Sequence, residues 1–184
     1  MSWQVRRATA EDAGTVATLM QQTFAEAYAT LHSPADIEAY CQTHYREDVV
    51  RTALAEAGYC CLLAQAEEGA ALGFAVLLDR RCDAHPELAA QELKQIYVRS
   101  SAFGTGLGQG LMVACCEVLR EAGDSHLWLV VSDANHRAQR FYRKLGFAPA
   151  GAGPALVVGA ETLSSEVLIS DVNALLTRLA SAAP

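Results

Sequence analysis

Residues 92–117 read ELKQIYVRSSAFGTGLGQGLMVACCE, and this stretch decides the fold. Through Val98 it alternates β-branched and aromatic residues with polar ones, as a strand does. A glycine-rich turn follows, and then an apolar stripe at Leu107, Leu111, Cys115 and Val118 at helical spacing. A strand that runs through glycines into a helix builds a place for an anion. The amides of a helix's first turn lack an intrahelical acceptor and carry the positive end of the helix dipole, so phosphate oxygens satisfy them. Gly104, Gly106 and Gly108 clear side chains from the approach and tolerate unusual backbone angles. A dinucleotide fingerprint starting at Gly104 would need glycine at Gln109, and a P-loop would need Gly-Lys followed by Ser or Thr, which is missing here. On the glycines alone, a turn that simply packs a helix close to a strand stays open as an alternative.

A chain of 184 residues, 52% hydrophobic and 19% charged, fits one globular domain spanning residues 1–184. Its net charge of −7 argues against a nucleic-acid partner, which would need clustered Lys and Arg, and is mildly favourable to cationic small substrates. The N-terminal MSWQVRRATAEDAG has no apolar core of the secretory kind, and no segment has the length of a membrane span. A cytoplasmic location without membrane contact is therefore expected. Cys41, Cys60, Cys61, Cys82, Cys115 and Cys116 have no metal-ligand spacing and read as small hydrophobes. No metal is expected, and none of the five histidines has a spacing that suggests one.

Around the central stretch, Trp3–Arg7 alternates like a strand, and Thr9 is placed to start a helix running to about Tyr28, with Val16, Leu19, Met20 and Phe24 buried. Ser33 and Pro34 start a second helix. Tyr59–Ala66 and Leu72–Asp79 form a hairpin, with EEGA as the turn. The glycine-turn helix ends near Gly123, and His126–Ser132 is a continuous apolar run suited to a buried strand. In NHRAQRFYRKLGF, residues 135–147, Asn135 caps a helix and Gly146 closes it. Ala138, Phe141 and Leu145 share one face of that helix; Asn135, Gln139 and Tyr142 share another. Leu163–Ser170 is expected to be the last strand and Asp171–Ala180 a terminal helix.

With IYV, GTGLG and the later Asn135, Ala138, Phe141, Tyr142, Gly146 and Phe147 in this order and spacing, the chain resembles the GNAT superfamily of acyl-CoA-dependent N-acetyltransferases. The resemblance covers nearly the whole chain. It implies an α/β (α+β) fold: a mixed, mostly antiparallel central sheet flanked by helices and splayed where acyl-CoA binds. It implies acetyl-CoA as co-substrate, with the backbone of Ile96, Tyr97 and Val98 pairing with the pantetheine arm like an added strand. The amides of Phe103, Gly104, Thr105, Gly106, Leu107, Gly108 and Gln109 would hold the pyrophosphate. Asn135 would bond the pantetheine, and Tyr142 would stand near the coenzyme sulfur as proton donor to the leaving thiolate, unless it is an ordinary packing tyrosine. Two positions depart from the family pattern: Phe103 stands where Gln or Arg is usual, and Ser100 where proline is frequent.

Amine acylation needs a neutral nucleophile, and an alkylammonium has a pKa of about 10.4, so a base or a water chain to one helps. Glu92 aligns with a general-base glutamate of some family members; a solvated strand-end charge, with water as the base, is the other reading. A faint resemblance of the front segment and the tail to bacterial spermidine/spermine acetyltransferases suggests a polyamine acceptor. An amino-acid derivative, another small amine or a protein N-terminus or lysine stays open, as does a non-catalytic acyl-CoA-binding regulatory module. A last strand left exposed would let two copies pair as a homodimer.

Overall fold

The computed structural model describes residues 2–30, 32–158 and 161–181. Its elements are β1 (Trp3–Arg7), α1 (Ala13–Tyr28), α2 (Pro34–His44), α3 (Glu47–Ala55), β2 (Tyr59–Ala66), β3 (Ala71–Leu78), β4 (Ala90–Val98), α4 (Leu107–Ala122), β5 (His126–Ser132), α5 (His136–Leu145), β6 (Ala148–Ala152), β7 (Leu156–Val158), β8 (Glu161–Leu163), β9 (Ser165–Asp171) and α6 (Val172–Ser181). Seven strands form a mixed, mostly antiparallel sheet in the order β1-β2-β3-β4-β5-β9-β6, and β7 pairs with β8 as a separate ribbon. The packing divides into two compact units. Met1–Leu77 with Gln95–Ala114 is the first; Leu78–Lys94 with Cys115–Pro184 is the second.

In the first unit, β1 pairs antiparallel with β2 from Trp3↔Ala66 to Arg7↔Leu62. The residues expected to face inward from α1 do so: Val16, Leu19, Met20 and Phe24 are all buried. Helix α2 begins as its sequence dictates, with the Ser33 hydroxyl accepting from the Asp36 amide and Pro34 in the first turn. Helix α3 has no counterpart among the sequence expectations. Its apolar positions Val50, Ala53 and Leu54 have helical spacing, but the helix is only nine residues long and the pattern does not recur, which leaves too short a signal to announce it.

In the second unit, β5 is parallel to β4 over only three residues, Ala90–Glu92 against His126–Trp128, whereas its antiparallel pairing with β9 runs the full length from His126↔Asp171 to Ser132↔Ser165. Such brief pairing agrees with the expected splay. Strand β9 is also paired on its other side by β6. Both edges of β9 are thus occupied, so the last strand is not one through which two copies could pair; β6 stands at this end of the sheet. Trp128, Cys82, Ala90 and Val167 form a small apolar cluster in this unit. Among the described residues, no helix is long and apolar enough to cross a membrane.

Candidate functional site

The glycine turn lies in the first unit. Arg99 continues the strand ladder by donating its amide to the Leu72 carbonyl of β3 (2.8 Å), which leaves Ile96, Tyr97 and Val98 half-buried. Close approach of the backbone is built in at Gly73, where a Cβ would lie 2.8 Å from the Tyr97 carbonyl oxygen. Beyond Arg99 the chain makes one 3₁₀ turn, Ser100–Ala102, and enters the glycines. Gly104 and Gly106 have φ of +78° and +81°, which side-chain-bearing residues rarely adopt; Gly108 shows no positive φ. The Thr105 hydroxyl donates to the Ala102 carbonyl at 2.8 Å and fixes the turn.

Helix α4 makes its first internal bond from the Gly110 amide to the Gly106 carbonyl (2.9 Å), so the amides from Gly106 to Gln109 have no acceptor inside the helix. Open space lies beside them. A Cβ built at Gly104 meets nothing within 4 Å, and one at Gly106 meets only the Gln109 side chain, at 4.0 Å. This geometry suits a diphosphate. The set is one donor smaller than expected, because the Phe103 amide is already given to the Ser100 carbonyl at 3.2 Å. Its side chain, 44% exposed, is one of the few large apolar groups on the surface. Sequence reasoning missed Gly110, where a Cβ would fall 2.1 Å from the Trp3 ring. A lone glycine inside a helical pattern is the signal that could have found it.

An aromatic group adjoins β4 in the same unit. Phe24 stacks on Tyr40 with centroids 4.4 Å apart, and its ring also meets Tyr28 at 4.6 Å and Tyr45 at 5.6 Å. The Gln95 amide donates to the Tyr45 hydroxyl at 2.7 Å, tying the group to the strand residue just before Ile96. Burial holds the Tyr45 and Tyr40 phenols above the ordinary tyrosine range, so both stay protonated.

Glu92, Asn135 and Tyr142 lie in the second unit. Glu92 does not open β4: it is the third residue, opposite Trp128, and only 3% exposed, which removes the solvated strand-end reading. Its Oε2 is 3.1 Å from Arg80 Nη1 and its Oε1 is 3.8 Å from Lys94 Nζ. The Trp128 indole N–H donates to the Arg80 carbonyl at 2.8 Å and pins the segment that carries this cation. Arg80 was not among the expected site residues, and a pairing twelve residues apart leaves no local pattern to read.

Asn135 caps α5, its Oδ1 accepting from the Ala138 amide at 3.0 Å, which commits that oxygen and leaves the Nδ2 hydrogens for other contacts. The Gln139 side chain donates to the Ser132 and Asp133 carbonyls, both at 3.1 Å, and ties α5 to the end of β5. Tyr142 is buried between Phe141 and Phe147, both edge-on at about 5.5 Å. Gly146 ends the helix in the left-handed region, as expected. An open groove of about 530 Å³ in this unit is lined by Asp133, Gln139, Arg143, Glu166 and residues of β6. It contains none of the residues expected to hold the coenzyme.

Residues 19–147 match the acetyltransferase (GNAT) family. An uncharacterized N-acetyltransferase of Mycobacterium bovis is 29% identical over 136 residues, 74% of this chain and 83% of its own. Streptothricin acetyltransferase of Streptomyces lavendulae is 39% identical over 67 residues; the match spans 36% of this chain and 35% of that enzyme, about a third of its length. Among solved structures, the PaiA N-acetyltransferase of Thermoplasma acidophilum, in complex with coenzyme A, superposes with a TM-score of 0.75 at 19% identity, covering 93% of this chain and 99% of that one.

Proposed function

Since the chain belongs to the acetyltransferase (GNAT) family and is an acyltransferase, we propose that it moves an acetyl group from acetyl-CoA directly to a primary amine of a small molecule, a polyamine or an amino-acid-like compound. The observation that carries this reading is the turn at Gly104–Gly106, which opens onto the unbonded amides that start α4. Those amides, together with the amides of Gly104 and Thr105 in the turn, take the diphosphate. The backbone of Ile96, Tyr97 and Val98 pairs with the pantetheine arm, and Asn135 bonds it through Nδ2.

In the transfer, the amine nitrogen attacks the thioester carbonyl carbon, the C–S bond breaks, and the thiolate leaves with a proton from the Tyr142 hydroxyl. The amine proton passes to Glu92 or through water to solvent. A thiolate comparable to that of cysteine, with a pKa of about 8.5, gains from such a donor. Calorimetry with acetyl-CoA and CoA, followed by coenzyme release on a panel of amines, tests the reading. Binding with release for at least one amine is expected. Binding without release for any amine would mark a module that senses acyl-CoA, and absence of binding would remove the assignment.

A further inference from the structure

Two side-chain nitrogens in the first unit are fully occluded yet have no hydrogen-bond partner among the described residues: Arg99 Nε and His32 Nε2. A buried donor left unmet costs stability, and more when it is charged. Such a cost is recovered when a ligand supplies the acceptor after a small shift of the groups that cover the nitrogen. Arg99 is the stronger of the two. Arg6, Arg46, Arg51, Arg80 and Arg143 each pair with a carboxylate, and the chain has 21 acidic residues against 14 Lys and Arg. Internal carboxylates are not scarce, yet the Nε of half-buried Arg99 meets none.

Position says what the missing acceptor belongs to. Strand alternation sets Gln95, Tyr97 and Arg99 on one face of β4 and its extension, the ladder bond from Arg99 to Leu72 keeping the register to that point. Gln95 on this face is bonded to Tyr45 of the aromatic group. The last turn of α1 is fixed beside Arg99 by Glu26, whose Oε2 accepts from the Ser100 amide at 2.8 Å. His32, just beyond α1, lies against Tyr28 with ring centroids 5.7 Å apart. Gln95, on the face that Arg99 shares, is thus bonded to an aromatic group that includes half-exposed Tyr28 and Tyr40, and His32 lies against that group at the end of the helix that Glu26 ties to Ser100.

Resting on the acetyl-transfer reading, which puts the thioester along Ile96–Val98, we propose that the acceptor amine also bears a carboxylate, bound by Arg99 with His32 beside it. Guanidinium to carboxylate is a charge-assisted pairing with defined geometry. The aromatic rings suit the carbon skeleton between amine and acid. The acceptor is then amino-acid-like, and polyamines, which offer no anion, are poor substrates.

The test compares matched amines that differ only by the carboxylate: lysine with cadaverine, and phenylalanine with phenethylamine, with spermidine included. The acid-bearing member of at least one pair should have the higher kcat/KM by about tenfold or more, the scale of one charged hydrogen bond. Arg99→Met should bring that ratio close to one, and Arg99→Lys should restore part of it. Calorimetry with N-acetyl-lysine and N-acetyl-phenylalanine gives a readout free of turnover: the parent should bind one of them, and Arg99→Met should not. Retained acetyl-CoA affinity shows that the variants are folded. Equal rates within both pairs, a preference for spermidine, a ratio that survives Arg99→Met, or no binding of either acetylated acid overturns the carboxylate assignment and leaves acetyl transfer standing. Failure of the parent to bind acetyl-CoA overturns acetyl transfer itself.

Discussion

Glu92 and Arg80 pair a carboxylate that is 4% exposed with a guanidinium side chain that is 62% exposed, at 3.1 Å. One partner is interior and the other belongs to the surface. Removing the cation leaves Lys94, at 3.8 Å, as the anion's remaining ion-pair partner among the described residues. Arg80→Met should therefore destabilise the protein by about 1–2 kcal/mol, less than a fully buried pair would lose, since solvent screens the exposed partner. Urea denaturation measures the change. Glu92→Gln addresses the chemistry instead: it should flatten the acidic limb of the pH–rate profile, and a limb that stays in place would move the base role to solvent or to another group.

Tyr142 is enclosed by Phe141 and Phe147, so Tyr142→Phe keeps the packing and removes only the hydroxyl. Turnover should fall by about tenfold or more while acetyl-CoA affinity changes little. Steady-state kinetics beside calorimetry separates the two. Unchanged turnover would make this residue a packing tyrosine.

Gly110 lies beneath the Trp3 ring with no room for a methyl group, the nearest ring carbon standing 2.1 Å from where a Cβ would be. Gly110→Ala forces β1 and the start of α4 apart and should cost about 1–3 kcal/mol, outweighing the gain in helix propensity. Thermal melting followed by tryptophan fluorescence reads both the loss and the displaced ring. An unchanged melting temperature would show that Trp3 moves aside freely.

Asp12 receives two hydrogen bonds from Arg6, at 2.6 and 2.8 Å, and one from the Thr9 amide, also at 2.8 Å. The Arg6 side chain, first, and the Thr9 amide hold this carboxyl well below the usual carboxylate range. A depressed folded-state pKa gives stability that is present above the unfolded value, near 3.9, and is lost as the pH falls toward the folded one. Arg6→Met should therefore be less stable than the parent at pH 7, with a gap that narrows below about pH 4. Denaturation midpoints between pH 7 and pH 2 check the sign, and a gap that widens in acid would refute it.

What the sequence discloses depends on whether a structural cause is local. Ser33 with Pro34, Asn135 at a helix start and Gly146 at its end each act within one turn, and the helices they bound lie where those residues put them. The run HLWLVVS is apolar on both faces because both are covered: Leu127, Leu129 and Val131 are buried on one and Trp128 on the other. Long-range causes stay hidden. The chain APAGA has no β-branched residue, and β6 forms only because β9 offers it a partner. For the same reason Leu163–Ser170 reads as a strand without revealing that both its edges are filled. At the candidate site, the glycines and Tyr142 could be picked out from their motifs, whereas the Arg80–Glu92 pair, the Gln95–Tyr45 bond and the unmet Arg99 Nε arise from residues brought together by folding.

At the outer border of the second unit's sheet, β6 pairs with β9 through a register shift between Pro149 and Gly151. Proline supplies no N–H, and the irregularity breaks the even row of donors and acceptors on which a stray segment would assemble. Growth by strand addition is frustrated at that margin, and replacing Pro149 with a β-branched residue such as valine would weaken that safeguard and favour fibrils in concentrated solution.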